Sequence, residues 1–164
     1  MRIALLLMIA GGTAIGLSLP HGAPQAPRAA AATAAPVADP DGARPRETVI
    51  RRDGNGHFYA FANVNHEPIR FVVDTGATTV ALTQEDARRA GVTFDPARFM
   101  TVGRGAGGAV AGQAVMIDEI ELDGKRVGPL RAVVLAGLGV SLLGQSYLRQ
   151  IDSVAISNDE MRLR

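Results

Sequence analysis

Short apolar runs separated by turn residues dominate the sequence from residue 47 onward, and this pattern is typical of β-strands. A four-residue turn at 65–68 leads into an apolar run that ends at Val73. The other predicted strands span residues 48–52, 57–64, 78–82, 99–102, 110–117, 120–122, 127–135, 141–143, 154–157 and 161–163. The pattern therefore predicts a small all-β domain.

The turn signals also predict which strands pair with their sequence neighbours. Asp-Gly and Asn-Gly pairs favour tight hairpin turns. The expected hairpins join residues 48–52 to 57–64, 99–102 to 110–117, 120–122 to 127–135, and 154–157 to 161–163. The second hairpin has a glycine-rich tip, Gly103-Arg104-Gly105-Ala106-Gly107-Gly108, which is expected to be mobile because glycine restricts the backbone least.

Two short helices are predicted between the strands. Thr83-Gln84-Glu85-Asp86 resembles a capping box, and the helix that it starts is expected to stop at Gly91. A second helix is expected to follow Gly144 and to include Leu148. The first of these helices is predicted to lie on the surface of the β domain.

The first residues of the chain are typical of a membrane-targeting segment. Met1 and Arg2 precede residues 3–19, which carry no charge and are rich in Leu, Ile and Ala. At about 1.5 Å per residue this run spans about 25 Å, which is short for a bilayer core of about 30 Å. A signal anchor and a cleaved signal peptide therefore both stay open for residues 1–19.

The positive charge ahead of this run predicts a cytoplasmic N-terminus and export of everything after residue 20. The expected location is the bacterial inner membrane, with a single pass and the C-terminal domain in the periplasm, or the periplasm itself if the segment is cleaved. Residues 20–46 are rich in Pro and Ala, which favours an extended linker, although an unstructured remnant is equally open. The folded domain is predicted over residues 47–164.

Composition excludes several classes of function. The 164 residues include 17 Lys and Arg against 16 Asp and Glu, and this balance argues against a nucleic-acid partner. The absence of cysteine excludes disulfides, thiol catalysis and thiolate metal sites. His57 and His66 lack neighbours at metal-ligand spacing, and Ser141 and Ser146 lack a Gly-x-Ser-x-Gly setting. No metal, no cofactor and no serine-hydrolase chemistry are expected.

Asp74-Thr75-Gly76, which directly follows the apolar run at 69–73, is the strongest chemical signal in the chain. Gly76 permits a tight turn that presents the carboxylate at the end of a rigid strand. Haloacid-dehalogenase-type phosphotransfer usually needs a second Asp where Gly76 stands. Actin-like and sugar-kinase phosphate loops share the Asp-x-Gly-x-Thr string, but they need two large α/β domains. A structural turn aspartate and an aspartic protease are the alternatives left open.

The chain resembles the retropepsin-like aspartic peptidases, most closely their bacterial membrane-anchored group. Over roughly residues 47–164 the resemblance rests on Phe71-Val72-Val73-Asp74-Thr75-Gly76-Ala77, the helix ending at Gly91, the glycine-rich hairpin near residue 105, and Leu142-Leu143-Gly144-Gln145-Ser146-Tyr147-Leu148. The hairpin departs from the Ala-Asn-Gly type of sequence that is common in the group. The resemblance implies a closed β-barrel or sandwich with one or two short helices, equivalent to half of a pepsin-type bilobed fold.

The same resemblance implies a role for each residue around Asp74. Asp74 would be catalytic, and Thr75 hydroxyls would hydrogen-bond across a two-fold axis. Gly76 would leave room beside the reacting water, and Ala77 would complete the supporting loop. The other implied site residues are the flap, Gly103, Arg104, Gly105, Ala106, Gly107 and Gly108, and the residues that pack beneath the Asp loop, Leu142, Leu143 and Gly144.

Peptide hydrolysis without a metal or a covalent intermediate needs one carboxylate to take a proton from water and a second, protonated carboxyl to donate one to the carbonyl oxygen. The chain has one Asp-Thr-Gly and is too short to be a duplicated protease. A homodimer that pairs two copies of Asp74 is therefore predicted, acting as an endopeptidase on peptides or proteins. The alternative is a noncatalytic peptide-binding or dimerisation module with the same fold.

Overall fold

The computed structural model describes residues 45–105 and 108–164. The predicted targeting segment at 1–19 and nearly all of the predicted linker at 20–46 lie outside the described residues. Ala106 and Gly107 of the glycine-rich hairpin also lie outside them. None of the helices in the described ranges has the length and apolar character needed to cross a bilayer.

The described residues form an all-β domain with two short α-helices, as the sequence predicts. The strands are β1 Thr48–Arg51, β2 Tyr59–Val64, β3 Glu67–Val73, β4 Val80–Leu82, β5 Met100–Gly105, β6 Gly108–Ile117, β7 Ile120–Leu122, β8 Lys125–Val127, β9 Leu130–Leu135, β10 Ser141–Leu143, β11 Val154–Ser157 and β12 Glu160–Leu163. The helices are α1 Gln84–Arg89 and α2 Gln145–Leu148, and a 3-10 turn spans Pro96–Arg98.

The strands are arranged in two sheets. The larger sheet has the order β5-β6-β9-β4-β10-β3-β2-β7-β8, and the smaller one has the order β1-β12-β11. Most pairs are antiparallel, but β10 runs parallel to β3 and β4 runs parallel to β9. In the described part of the chain the larger sheet stays open at β5 and β8. The resemblance implied a closed β-barrel or a sandwich, and the described residues do not form a closed barrel.

The strand that leads to Asp74 is buried on one face only. Ile69, Phe71 and Val73 are buried in the core, whereas Arg70 is exposed and Val72 is half-buried. A continuous apolar run such as Phe71-Val72-Val73 is typical of a strand that is buried on both faces. Val72 instead lines a cavity beside the end of the strand, so an apolar side chain is available to a ligand there.

The hairpin predicted between residues 48–52 and 57–64 is wrong beyond a single bridge, which joins Arg52 to Phe58. β1 pairs instead with β12, near the end of the chain. Arg52 fixes this pairing, because its backbone N–H donates to the Asp159 carbonyl at 2.8 Å and its Nε donates to Asp159 Oδ1 at 3.0 Å. Ile50 of β1 then lies opposite Met161 in the core.

The strand predicted over residues 127–135 is wrong at its start, because β8 ends at Val127 and a separate strand, β9, begins at Leu130. β8 pairs with β7 as a three-residue hairpin, whereas β9 pairs with β6 and β4. Gly128 stands at the break, where a Cβ atom would lie only about 2.0 Å from the Asp118 carbonyl oxygen. The close packing of the two backbones at this point separates the strands, and only glycine leaves room for it.

A buried lysine amine holds the first residues of the described domain through hydrogen bonds. Lys125 is 4% exposed, and its Nζ donates to Thr48 Oγ1 at 2.9 Å and to the Arg46 carbonyl. Burial lowers the pKa of Lys125, although the nearby Asp123 opposes this effect. The Tyr147 hydroxyl donates to the Lys125 carbonyl at 2.9 Å, so α2 is tied to the same strand.

Helix α1 begins as predicted, but its cap is completed by a distant strand. Thr83 Oγ1 accepts from the Asp86 N–H at 3.0 Å, and Gly91 follows the helix with a φ of +65°. In a capping box the Asp86 carboxylate would bond the Thr83 N–H. Here the Ser141 hydroxyl of β10 lies between these two groups and bonds both of them. Its Oγ accepts from the Thr83 N–H at 3.0 Å and donates to Asp86 Oδ2 at 2.6 Å.

Replacing Ser141 with alanine is expected to lower the free energy of unfolding by about 1–3 kcal/mol. The substitution leaves the Thr83 N–H and a partly buried Asp86 oxygen without their partner. Urea unfolding followed by circular dichroism measures the change, with the exposed Ser157→Ala as the matched control. Equal losses in the two variants would contradict the prediction.

Candidate active site

The structure places Asp74 at the first position after β3, where the strand lies beside β10. Val73 is in register with Leu143 across the parallel pair. The Asp74 N–H donates to the Leu143 carbonyl at 3.1 Å. The backbone of the candidate catalyst is therefore fixed by a strand that lies far away in the sequence.

The Asp74 carboxylate is held by its own loop through one oxygen. Asp74 Oδ1 accepts from the Gly76 N–H at 2.9 Å and from the Ala77 N–H at 3.2 Å. Oδ2 accepts no hydrogen bond from any residue that the structure describes. A Cβ atom on residue 76 would lie 3.3 Å from Oδ1, so glycine keeps this turn unobstructed. The turn interactions thus position the carboxylate and leave one oxygen for a ligand or water.

The step from β10 into α2 supports the Asp74 loop through close backbone packing. A Cβ atom on Gly144 would lie 2.4 Å from the Thr79 carbonyl oxygen and 2.8 Å from the Ala77 carbonyl oxygen. Leu143 is fully buried, whereas Leu142 is half-buried beside the loop. The structure therefore brings Leu142, Leu143 and Gly144 against the loop that carries Asp74.

Two polar residues at the start of α2 hold the same loop, and neither was assigned a role from the sequence. The Gln145 N–H donates to the Ala77 carbonyl at 2.8 Å, and its Nε2 donates to the Thr75 carbonyl at 2.8 Å. Ser146 Oγ accepts from the Val80 N–H at 2.9 Å. Their position directly after Leu-Leu-Gly was the only available signal, because the contacts themselves are long-range.

The glycine-rich hairpin faces the Asp74 loop across a cavity of about 390 Å³. Val102, Gly103 and Arg104 of β5 line this cavity together with Asp74. The strands run further into the glycine-rich stretch than the sequence predicts, to Gly105 on one side and from Gly108 on the other. Ala106 and Gly107 lie outside the described residues.

A second cavity, of about 480 Å³, borders Asp74 on the side of the smaller sheet. Thr75, His57 and Ile156 are among the residues that line it, and Ile156 is 49% exposed. His66 lies instead in the turn between β2 and β3. In the described ranges no group of three or more His, Cys, Asp or Glu side chains is placed to hold a metal ion.

A larger cavity, of about 540 Å³, lies against α1 and does not include Asp74. Its arginine side chains already have partners. Arg89 pairs with Glu67 and Asp86, each at 3.3 Å, and Arg70 stacks on the Tyr59 ring at 3.9 Å. The chemistry therefore favours the two smaller cavities beside Asp74 as the functional region.

Known proteins with a similar sequence or structure include aspartic proteases. Residues 60–150 match the family model described as "gag-polyprotein putative aspartyl protease". The crystal structure of a retropepsin-like aspartic protease from Rickettsia conorii has 34% sequence identity and a TM-score of 0.61, over 72% of this chain and 89% of that one. Its likeness therefore extends over nearly the whole of that solved domain.

Two curated relatives are uncharacterized proteins. One, from Rickettsia prowazekii (strain Madrid E), is 34% identical over 69% of this chain and 49% of its own length. The other, from the region 5′ of cobV in a Sinorhizobium species, is 37% identical over 73% of this chain and 52% of its own length. The chain thus matches about half the length of these relatives.

Proposed function

This chain belongs to the retropepsin-like aspartic proteases, and on that basis we propose that it is an aspartic endopeptidase that acts as a homodimer. One observation carries the proposal. Asp74 has one carboxylate oxygen fixed by the Gly76 and Ala77 N–H groups, and it borders a cavity shared with the glycine-rich hairpin. A positioned carboxylate beside a cleft is suited to activating water.

The proposed reaction uses the Asp74 carboxyls of two subunits, with one proton shared between them. The ionised carboxylate takes a proton from a water molecule, whose oxygen forms a bond to the peptide carbonyl carbon. The protonated carboxyl donates its proton to the carbonyl oxygen, and collapse of the tetrahedral intermediate breaks the C–N bond as the nitrogen is protonated. Neither carboxyl forms a covalent bond to the substrate.

The second carboxyl is assigned to another copy because the described part of the chain offers none near Asp74. Among the described residues that line the two cavities beside Asp74, no other Asp or Glu is present. Close carboxyls repel each other when both are ionised, so a pair on a two-fold axis retains one proton. In this proposal Thr75, which is exposed beside Asp74, faces the partner subunit.

The catalytic rate per chain is expected to rise with protein concentration and then to level off. A monomer contributes only half of the proposed site, so activity follows the fraction of chains in dimers. Peptide hydrolysis by the full chain, measured over a wide dilution series, is compared with sedimentation equilibrium over the same range. A constant rate per chain under conditions where the protein is monomeric would contradict the proposal.

We also propose that residues 1–19 attach the protein to the bacterial inner membrane, with the protease domain in the periplasm. The support is the uncharged run after Arg2 and the lack of further positive charge before Arg28. Membrane fractionation of cells, combined with N-terminal sequencing of the mature protein, tests the proposal. A full-length chain recovered only in the soluble fraction would contradict membrane attachment.

A further inference from the structure

The cleft beside Asp74 carries a positive charge that the proposed reaction does not use. Arg104 lies on β5 and lines the same cavity of about 390 Å³ as Asp74. In the sequence from Met100 to Gly112, Arg104 is the only charged residue. No acidic neighbour on its own hairpin is therefore available to neutralise it.

Arg104 also lacks a partner elsewhere in the described part of the chain, where it makes no ion pair or hydrogen bond. Several other exposed arginines are paired, such as Arg51 with Glu160 at 3.6 Å. Arg52, the other guanidinium beside Asp74, is held by Asp159 at 3.0 Å and donates to the Gly56 carbonyl. Arg104 is therefore the guanidinium that is free to meet a ligand in this cleft.

The other residues that line the cavity indicate which part of a ligand Arg104 would contact. Ala81, Val133 and Leu142 provide an apolar surface opposite the hairpin. Besides Asp74 and Arg104, none of the described residues that line this cavity carries a charge. A peptide in the cleft would thus place apolar side chains on this surface, and an acidic side chain that reached the hairpin would meet Arg104. A guanidinium forms paired hydrogen bonds with a carboxylate, which gives such a contact directional selectivity.

We propose that Arg104 is a specificity-determining residue that selects peptides carrying Asp or Glu near the scissile bond. This inference rests on the proposed function, because the cleft is that of the homodimer. In a two-fold dimer each half of the peptide meets one Arg104. An acidic residue is expected to be favoured on either side of the cleaved bond, at a position far enough from the two Asp74 carboxyls to avoid repulsion.

The test uses the full chain and matched peptides that differ only by Glu, Gln or Lys at one position, with that position varied across the peptide set. At one position or more, the parent protein is expected to cleave the Glu peptide with a kcat/KM about tenfold higher than the Gln peptide. Arg104→Gln is expected to abolish this difference, and Arg104→Glu to favour Lys instead. The matched control is Arg126→Gln, at an exposed position on β8, which is expected to keep the preference for Glu.

Binding of the same peptides to Asp74→Asn protein, measured by fluorescence anisotropy, separates this inference from the proposed function. If the protein binds Glu peptides more tightly and this preference depends on Arg104, the inference is supported even where no peptide is cleaved. An absence of cleavage would then contradict only the proposed endopeptidase activity. A parent protein without preference for Glu at any position overturns the role of Arg104. A preference that Arg104→Gln retains in full overturns it as well.

Discussion

Replacing Asp74 with asparagine is expected to lower kcat/KM for peptide hydrolysis about 1000-fold or more. The amide cannot accept the proton of the attacking water, and positioned acid–base groups typically supply factors of about 10²–10⁴. The amide oxygen can still accept from the Gly76 and Ala77 N–H groups, so the fold should be retained. The measurement is initial-rate kinetics on a cleaved peptide, with thermal unfolding to verify the fold.

Asp118→Asn is the isosteric control, because Asp118 is exposed and does not border either cavity beside Asp74. Mixing parent and Asp74→Asn chains in equal amounts adds a test of the shared site. If each active site needs two Asp74 carboxyls, about one quarter of the randomly formed dimers are active. If each chain acted with its own Asp74 alone, about one half of the chains would be active. A kcat/KM of Asp74→Asn within about threefold of the parent value would contradict the catalytic role of Asp74. If the parent protein cleaves no peptide and both proteins bind peptides equally well, the noncatalytic peptide-binding alternative is favoured.

Replacing Gly144 with alanine is expected to lower the free energy of unfolding by about 1–3 kcal/mol and kcat/KM by about 100-fold. The added Cβ would lie 2.4 Å from the Thr79 carbonyl oxygen and 2.8 Å from the Ala77 carbonyl oxygen. Both atoms belong to backbone, so either the β10–α2 step or the Asp74 loop has to shift. A displacement of about 1 Å at a catalytic group can lower the rate about 100-fold.

Gly54→Ala is the matched control, because a Cβ at this turn position has no atom within 4 Å. Urea unfolding gives the change in stability, and kcat/KM is measured at a temperature where each variant is folded. The control is expected to stay close to the parent in both measurements. A Gly144→Ala protein with parental stability and activity would show that the contact between α2 and the Asp74 loop does not position the carboxylate.

Local elements were predicted well because their signals are short-range. Thr83 caps α1 and Gly91 ends it with a positive φ, as the sequence indicated. The hairpin of β11 and β12 turns at Asn158 and Asp159, both with positive φ. Each of these features depends on a few consecutive residues, whose side chains or backbone freedom select the conformation.

Strand pairing was predicted less well because it depends on burial over the whole chain. β1 pairs with β12 rather than forming the expected hairpin with β2, and β7 pairs with β8 rather than with the strand predicted over residues 127–135. An apolar run shows that a segment can be buried, but it does not identify the partner strand. The parallel pair of β3 with β10, which fixes Asp74, has no local signal.

The sequence alone determined the chemistry of the candidate site, because Asp74-Thr75-Gly76 after an apolar strand and the later Leu-Leu-Gly step are consecutive residues that can be read directly. Only the tertiary structure decided how that chemistry is supported. It showed that one Asp74 oxygen is bound by its own loop, that Gln145 and Gly144 hold this loop from α2, and that Arg104 lines the same cavity. These relations join segments far apart in the chain, and such contacts form only when the core is packed.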